Sequence, residues 1–429
     1  MPTGYSLPRT TGTPTPDTGS TPGHGGRQRA QLGAPLMSAF THPSHFLGRA
    51  LALLVLSAGV IGCQSTQQAA SPQTTGTGST PGGAPVQEHR TTASGGITIV
   101  HDDWRQIGYR WDWTGYPNLA GREGVKFVDA YNDLLVVQGQ DNSLTIIDAK
   151  TGRNRWSDRP ANPLVEFVGV AREGNNIFVC SQTEVFIMDV NTGNWSARQP
   201  MSQVVNTPPL RYGQTLIFGT PTGELFSHRT DFGVTAWRYD IGGPIEADPV
   251  WVQSTVGAVA QDGSVAFLTP DTAVAVSTAR VGGRTRTNPV TDGTMMFVAC
   301  MDQSVYAFSP ENQRHVWRYR TNEELTIQPT YNSGVLYVTV PGTGLVALDA
   351  MRGSENWIGP DAGGVVVGTR SGSLIVWDGL EIKAVEPSNG DVLVSFRVPG
   401  VARVETDAFD DGNLYLVTDQ NAVIRFAPR

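Results

Sequence analysis

Val346-Ala347-Leu348-Asp349-Ala350-Met351-Arg352-Gly353-Ser354-Glu355-Asn356-Trp357 is the stretch that decides the fold. The run Val335-Leu336-Tyr337-Val338-Thr339-Val340 comes just before it and consists of strand formers. Alternation of this kind suits a half-buried strand. Asp349 opens a turn, because its short carboxylate can accept bonds from backbone amides just ahead of it. Gly353 supplies the left-handed conformation that a hairpin built on a type I turn requires, and Trp357 falls on the returning strand. The stretch predicts one strand–turn–strand unit.

Working outward, the same unit recurs. Ile146-Ile147-Asp148 leads through Gly152 to Trp156, and Met188-Asp189 leads through Gly193 to Trp195. Longer or degenerate copies run from Leu225 through Gly233 to Trp237, from Ala266 to Val276, from Ala307 to Trp317 and from Ala384 through Gly390 to Val394. The terminal positions 156, 195, 237, 276, 317, 357 and 394 are separated by 39, 42, 39, 41, 40 and 37 residues. A period near 40 built from short strands, with no helical pattern between them, predicts an all-β propeller.

The pattern A-x-D-x-x-T-G-x-x-x-W resembles the tryptophan-docking repeat of the quinoprotein-like (PQQ-type) propeller family. Ala347, Asp349, Gly353 and Trp357 fit it with Arg352 in the threonine slot, and Asp148, Thr151, Gly152 and Trp156 fit it with Ile146 in the alanine slot. The resemblance covers about residues 104–429. It implies that Asp148, Gly152, Trp156, Asp189, Gly193, Trp195, Trp237, Trp317, Asp349, Gly353 and Trp357 are structural docking residues. Period-matched aromatics are packing devices before they are ligand-stacking ones, and each buried indole removes on the order of 150–250 Å² from water.

The propeller is expected to have eight four-stranded blades over residues 103–429. Ile107-Gly108-Tyr109-Arg110-Trp111-Asp112-Trp113 reads as the last strand of a blade that has no first three. Residues 405–410, 413–418 and 422–427 read as three strands without a fourth. Joining the two closes the ring and pairs edges that would otherwise stay open.

The N-terminal quarter has a different composition. Residues 1–36 are rich in Thr, Pro and Gly and cannot bury enough surface to fold; Met37 reads as the true start. Residues 37–62 read as a lipoprotein signal peptide, with Arg49 ahead of a short apolar run from Ala50 to Ile61. Val60-Ile61-Gly62-Cys63 resembles a bacterial lipobox, which makes Cys63 the expected lipidation site. Residues 63–102 then form a Thr/Gly/Ser/Pro tether, expected to be disordered, with a coil reach of about 35 Å. By analogy with sorting in enterobacteria, Gln64 after the cysteine favours the outer membrane, with the domain on its periplasmic side.

Charge and motifs narrow the chemistry. Of 31 basic and 39 acidic side chains, five and two precede residue 102, leaving 26 and 37 in the propeller. That balance opposes nucleic-acid binding, which needs a basic face. Cys180 and Cys300 occupy the same place in repeats three blades apart, too far for a disulfide, and read as buried free thiols. No histidine pair has metal-ligand spacing, and no nucleophile elbow or phosphate loop is present. No cofactor or metal is expected.

Two function classes follow. The sequence resembles the BamB family, the lipoprotein scaffold subunits of the outer-membrane β-barrel assembly machinery, which implies a non-catalytic scaffold with an envelope protein partner. The alternative is a PQQ-dependent quinoprotein dehydrogenase or small-ligand-binding propeller, but blades of about 40 residues leave no insertions to build a deep pocket. Exposed loops on a rigid scaffold are the usual place of recognition. The loops between blades supply Arg284, Arg286, Glu323 and Arg403 as the first candidates for an interaction surface.

Overall fold

Strand chemistry sorts the four strands of each blade. Val335–Val340 and Gly344–Asp349, the middle pair of one blade, are apolar and almost wholly buried, whereas Glu355–Gly359, the last strand, is largely exposed. Middle strands are covered on both faces by neighbouring blades, so they read as continuous apolar runs. Fourth strands alternate between packing and water.

The computed structural model describes residues 90–119 and 124–429. The leader, the signal segment and Cys63 lie outside the described residues, as does the tether up to residue 89. Among the described residues, eight four-stranded antiparallel sheets form the blades. Blades 1 to 7 are contiguous and begin at Val125, Phe167, Leu210, Val250, Val290, Thr330 and Val365. Blade 8 joins Val401–Thr406, Leu414–Thr418 and Val423–Pro428 to β3 (Tyr109–Gly115), in spatial order with β3 outermost. In this blade Trp111 pairs with Phe426, Trp113 with Arg425 and Thr114 with Ile424. Its first strand spans 401–406 rather than the expected 405–410, because Asp407 takes the turn: its carboxylate accepts from the amide and side chain of Asn413 and from the Tyr415 hydroxyl.

The core is a ring of inter-blade clusters. One unites Phe297, Val305 and Trp317 of blade 5 with Leu336, Val346 and Leu348 of blade 6. Another joins blades 1 and 2 through Val136, Ile146, Phe167 and Phe186. Each blade thereby buries its apolar faces against its neighbours.

The expected tether boundary at residue 102 is corrected. β1 (Thr91–Ser94) and β2 (Ile97–Val100) form a hairpin, followed by the short helix α1 (His101–Gln106). Ile97, Ile99 and Trp104 are buried in the cluster between blades 7 and 8. Apolar burial orders a segment whose Thr, Ser and Gly content reads as linker.

Candidate interaction face

The docking device is present in kind, and strand pairing sets its register. The indole N–H of Trp156 donates to the carbonyl of Val190 at 2.7 Å, that of Trp237 to Pro270 at 2.7 Å, that of Trp317 to Ala350 at 2.9 Å and that of Trp357 to Pro387 at 2.8 Å. Trp113 of β3 does the same to Ala149 at 3.0 Å. In every case an outer strand grips the last turn of the next blade. The turns are built on Asp148, Asp189 and Asp349, whose carboxylates accept from the amides of Thr151, Thr192 and Arg352. Gly152, Gly193 and Gly353 have φ of 70°, 73° and 68°. A Cβ on Gly353 would lie 2.4 Å from the Trp317 ring, so both backbone conformation and space require glycine there.

Trp195 is not a docking residue. It pairs with Met188 on the far side of a bulge, is 44% exposed, and donates its indole N–H to Asp158. Ala197 pairs with Ile187 in the docking register. Gln199 instead covers Gly233, donating to the carbonyl of Thr230 and bonding the buried His228 ring. Likewise the docking position of blade 4 is Ser277, not Val276, which is exposed. With both corrections the positions 156, 197, 237, 277, 317, 357 and 394 are spaced by 41, 40, 40, 40, 40 and 37. Cys180 and Cys300 are buried free thiols, and burial pushes both above the usual thiol range.

An antiparallel meander puts the inter-blade connections on the same face as the turns between second and third strands. Backbone bonds knit the two together: Val205 N–H to Gln182, Ile245 to Thr220, Gln261 to Pro244 and Met301 to Arg284. Arg284 and Arg286 lie on the connection between blades 4 and 5, and Glu323 on that between blades 5 and 6. All three side chains are exposed and, among the described residues, none has an ion-pair partner. The Arg284 carbonyl is held by Met301 N–H and by the Cys300 thiol, so a fixed backbone presents an unpaired guanidinium. Arg403 differs from expectation. It sits on the first strand of blade 8, opposite Val417, rather than on a loop; that strand starts already at Val401 beside a register shift. Its side chain is exposed too.

The first strands of neighbouring blades approach one another around the axis. At their entrance Asp248, Asn288 and Gln328 form a ladder: Asn288 donates to Asp248 at 2.7 Å, and its backbone amide donates to Gln328 at 2.9 Å. Three carboxyls belong to this inner region. Burial, reinforced by Asp248, raises Asp129 to about 6, and burial raises Asp248 to about 6. Burial, opposed by Arg403 and reinforced by Asp129, raises Glu405 to about 7. These inner-ring residues were missed in the sequence. The signal was available, since each ladder residue precedes a proline at a spacing of 40, in Asp248-Pro249, Asn288-Pro289 and Gln328-Pro329.

Known proteins share this architecture. BamB from Moraxella catarrhalis superposes with a TM-score of 0.60 at 16% identity, over 74% of this chain and 99% of that one. The computationally designed protein Ika8 does so with a TM-score of 0.59 at 11% identity, over 73% and 100%. At these identities the likeness shows the fold alone. No curated protein matches the sequence. Residues 102–280 and 261–427 both match the family model described as outer membrane protein assembly factor BamB. Between them the two matches span nearly the whole propeller, and the chain belongs to the BamB family.

Proposed function

We propose that this chain is a non-catalytic, membrane-anchored scaffold that binds an envelope protein and serves outer-membrane protein assembly. The observation that carries the reading is the family match over residues 102–427, on blades that carry no large insertions. The working surface is the connection face, where Arg284, Arg286 and Glu323 offer charge that the fold leaves unpaired, together with the exposed Arg403 near the start of the first strand of blade 8. Mixed exposed charge on a rigid frame suits a polar, reversible protein interface. Lipidation of Cys63 anchors the domain to the bacterial outer membrane on its periplasmic side, through the segment that precedes Arg90.

Reversing the charge at Arg284, Arg286 and Glu323 should abolish co-purification of an envelope partner from detergent-solubilised membranes while leaving the thermal midpoint unchanged. Undiminished co-purification would overturn the assignment of this face. Cys63→Ser should move the protein to the soluble fraction, and a variant that still floats with membranes would refute the anchor.

The residues present do not fit the calcium that a quinoprotein cofactor needs. Among the described residues no three His, Cys, Asp or Glu side chains are placed to hold a metal ion. Purified protein should show no dye-linked alcohol oxidation after addition of PQQ and Ca²⁺, and activity there would favour the dehydrogenase reading.

A further inference from the structure

The seam between blades 7 and 8 is built differently from the others. By register Val394 of blade 7 stands where the docking tryptophans stand, opposite Ala384. In blade 8 no turn joins the third strand to the fourth, because the fourth, β3, precedes blade 1 in the chain, so a tryptophan there would meet no such turn.

Residues 91–108 fill that place. Trp104 of α1 stacks on Phe426 of blade 8, with ring centroids 3.5 Å apart and planes 17° apart. It also meets Phe396 of blade 7 edge-on at 5.2 Å. The hairpin ahead of it is held by the buried Ile97 and Ile99, and by the Thr418 hydroxyl donating to the Gly95 carbonyl at 2.7 Å. At the far end, Arg370 of blade 7 donates to the Gly108 carbonyl at 2.9 Å. The wedge of this seam therefore comes from outside the blades.

At the other tryptophan seams the indole stands on a strand inside its own four-stranded sheet, and it cannot leave without unfolding a blade. Here it stands on a six-residue helix behind a two-stranded hairpin. Neither element is stable alone: isolated helices this short do not form in water, and lone hairpins are marginal. Both are ordered by docking, and both can be lost together while every blade keeps its ladders.

We propose that residues 91–108 form a detachable strap that latches the ring at the blade 7–8 seam, with Trp104 as its wedge. The strap opens as one unit, separately from global unfolding, and exposes a slot lined by Phe396, Phe426 and Val401. It is also the stretch through which the propeller continues into its N-terminal segment, so a pull on that segment acts on this seam first.

Hydrogen–deuterium exchange on the full chain tests this. Trp104→Ala should speed exchange about tenfold or more in residues 91–108, with lesser loss of protection in 392–397 and 423–428 and none in blades 2 to 5. Trp104→Phe should restore most of the protection. Trp317→Ala should instead lower the thermal midpoint without selectively opening the strap. Should Trp104→Ala fail to fold, wild-type protein in sub-denaturing urea gives the same answer: strap amides should exchange through an opening with a smaller urea dependence than the blades. Acceleration spread evenly around the ring, or strap amides that exchange only with global unfolding, would overturn the proposal.

Discussion

The indole nitrogen of Trp317 donates to the carbonyl oxygen of Ala350 across the seam between blades 5 and 6, and the same ring closes over Gly353. One side chain thus joins a packing contact to a directional bond. Trp317→Ala should cost about 3–5 kcal/mol, the range for a buried large aromatic. Gly353→Ala should cost on the order of 1–3 kcal/mol, because alanine there must adopt a positive φ and displace the ring. Urea unfolding of the two single variants and the double variant would check both. The double should cost less than the two singles added, since both act on one contact.

Trp156 and Trp195 look equivalent in the sequence and are not. Trp156→Ala should destabilise by about 3 kcal/mol or more, whereas Trp195→Ala should cost about 1 kcal/mol, its ring being exposed and held by an edge contact with Phe186 and one bond to Asp158. Equal losses in paired thermal melts would restore Trp195 to the docking set.

Much of the architecture could be read from the chain. Eight blades, closure through Tyr109–Gly115 and the turn chemistry of Asp148 and Asp349 all follow from strand patterning and one 40-residue period. The register did not follow. A bulge of one residue puts Ala197 rather than Trp195 toward the next blade; the signal is the glycine-to-docking spacing of four in Gly152–Trp156 and Gly353–Trp357, which points from Gly193 to Ala197 and is masked by the tryptophan two residues away. The hairpin at 91–100 escaped notice for a related reason. Its order comes from burial of Ile97, Ile99 and Trp104 in a slot made by residues some 300 positions later, which no local composition reveals. The candidate face was half legible: loop residues could be nominated, but the inner-ring carboxyls Asp129 and Glu405 sit in ordinary-looking strands.

Those carboxyls set a pH dependence. Glu405 rises from 4.5 to about 7 in the folded state, and Asp129 from 3.8 to about 6, chiefly through burial. Folding therefore favours their protonated forms. The stability they allow is fully present below the unfolded values and is lost as pH rises through the folded ones. The thermal midpoint should fall between about pH 5 and about pH 8, and Glu405→Gln with Asp129→Asn should flatten that fall. A wild-type midpoint that rises over this window would contradict the burial of these groups.

The most direct test of the scaffold reading is site-specific photo-crosslinking in living cells. A crosslinking amino acid replaces Arg286 on the connection face in one variant and Lys150, on a turn of the opposite face, in the other. Adducts to an envelope protein from position 286 and none from position 150 are the predicted result. Adducts from position 150 alone, or from neither position, would contradict it.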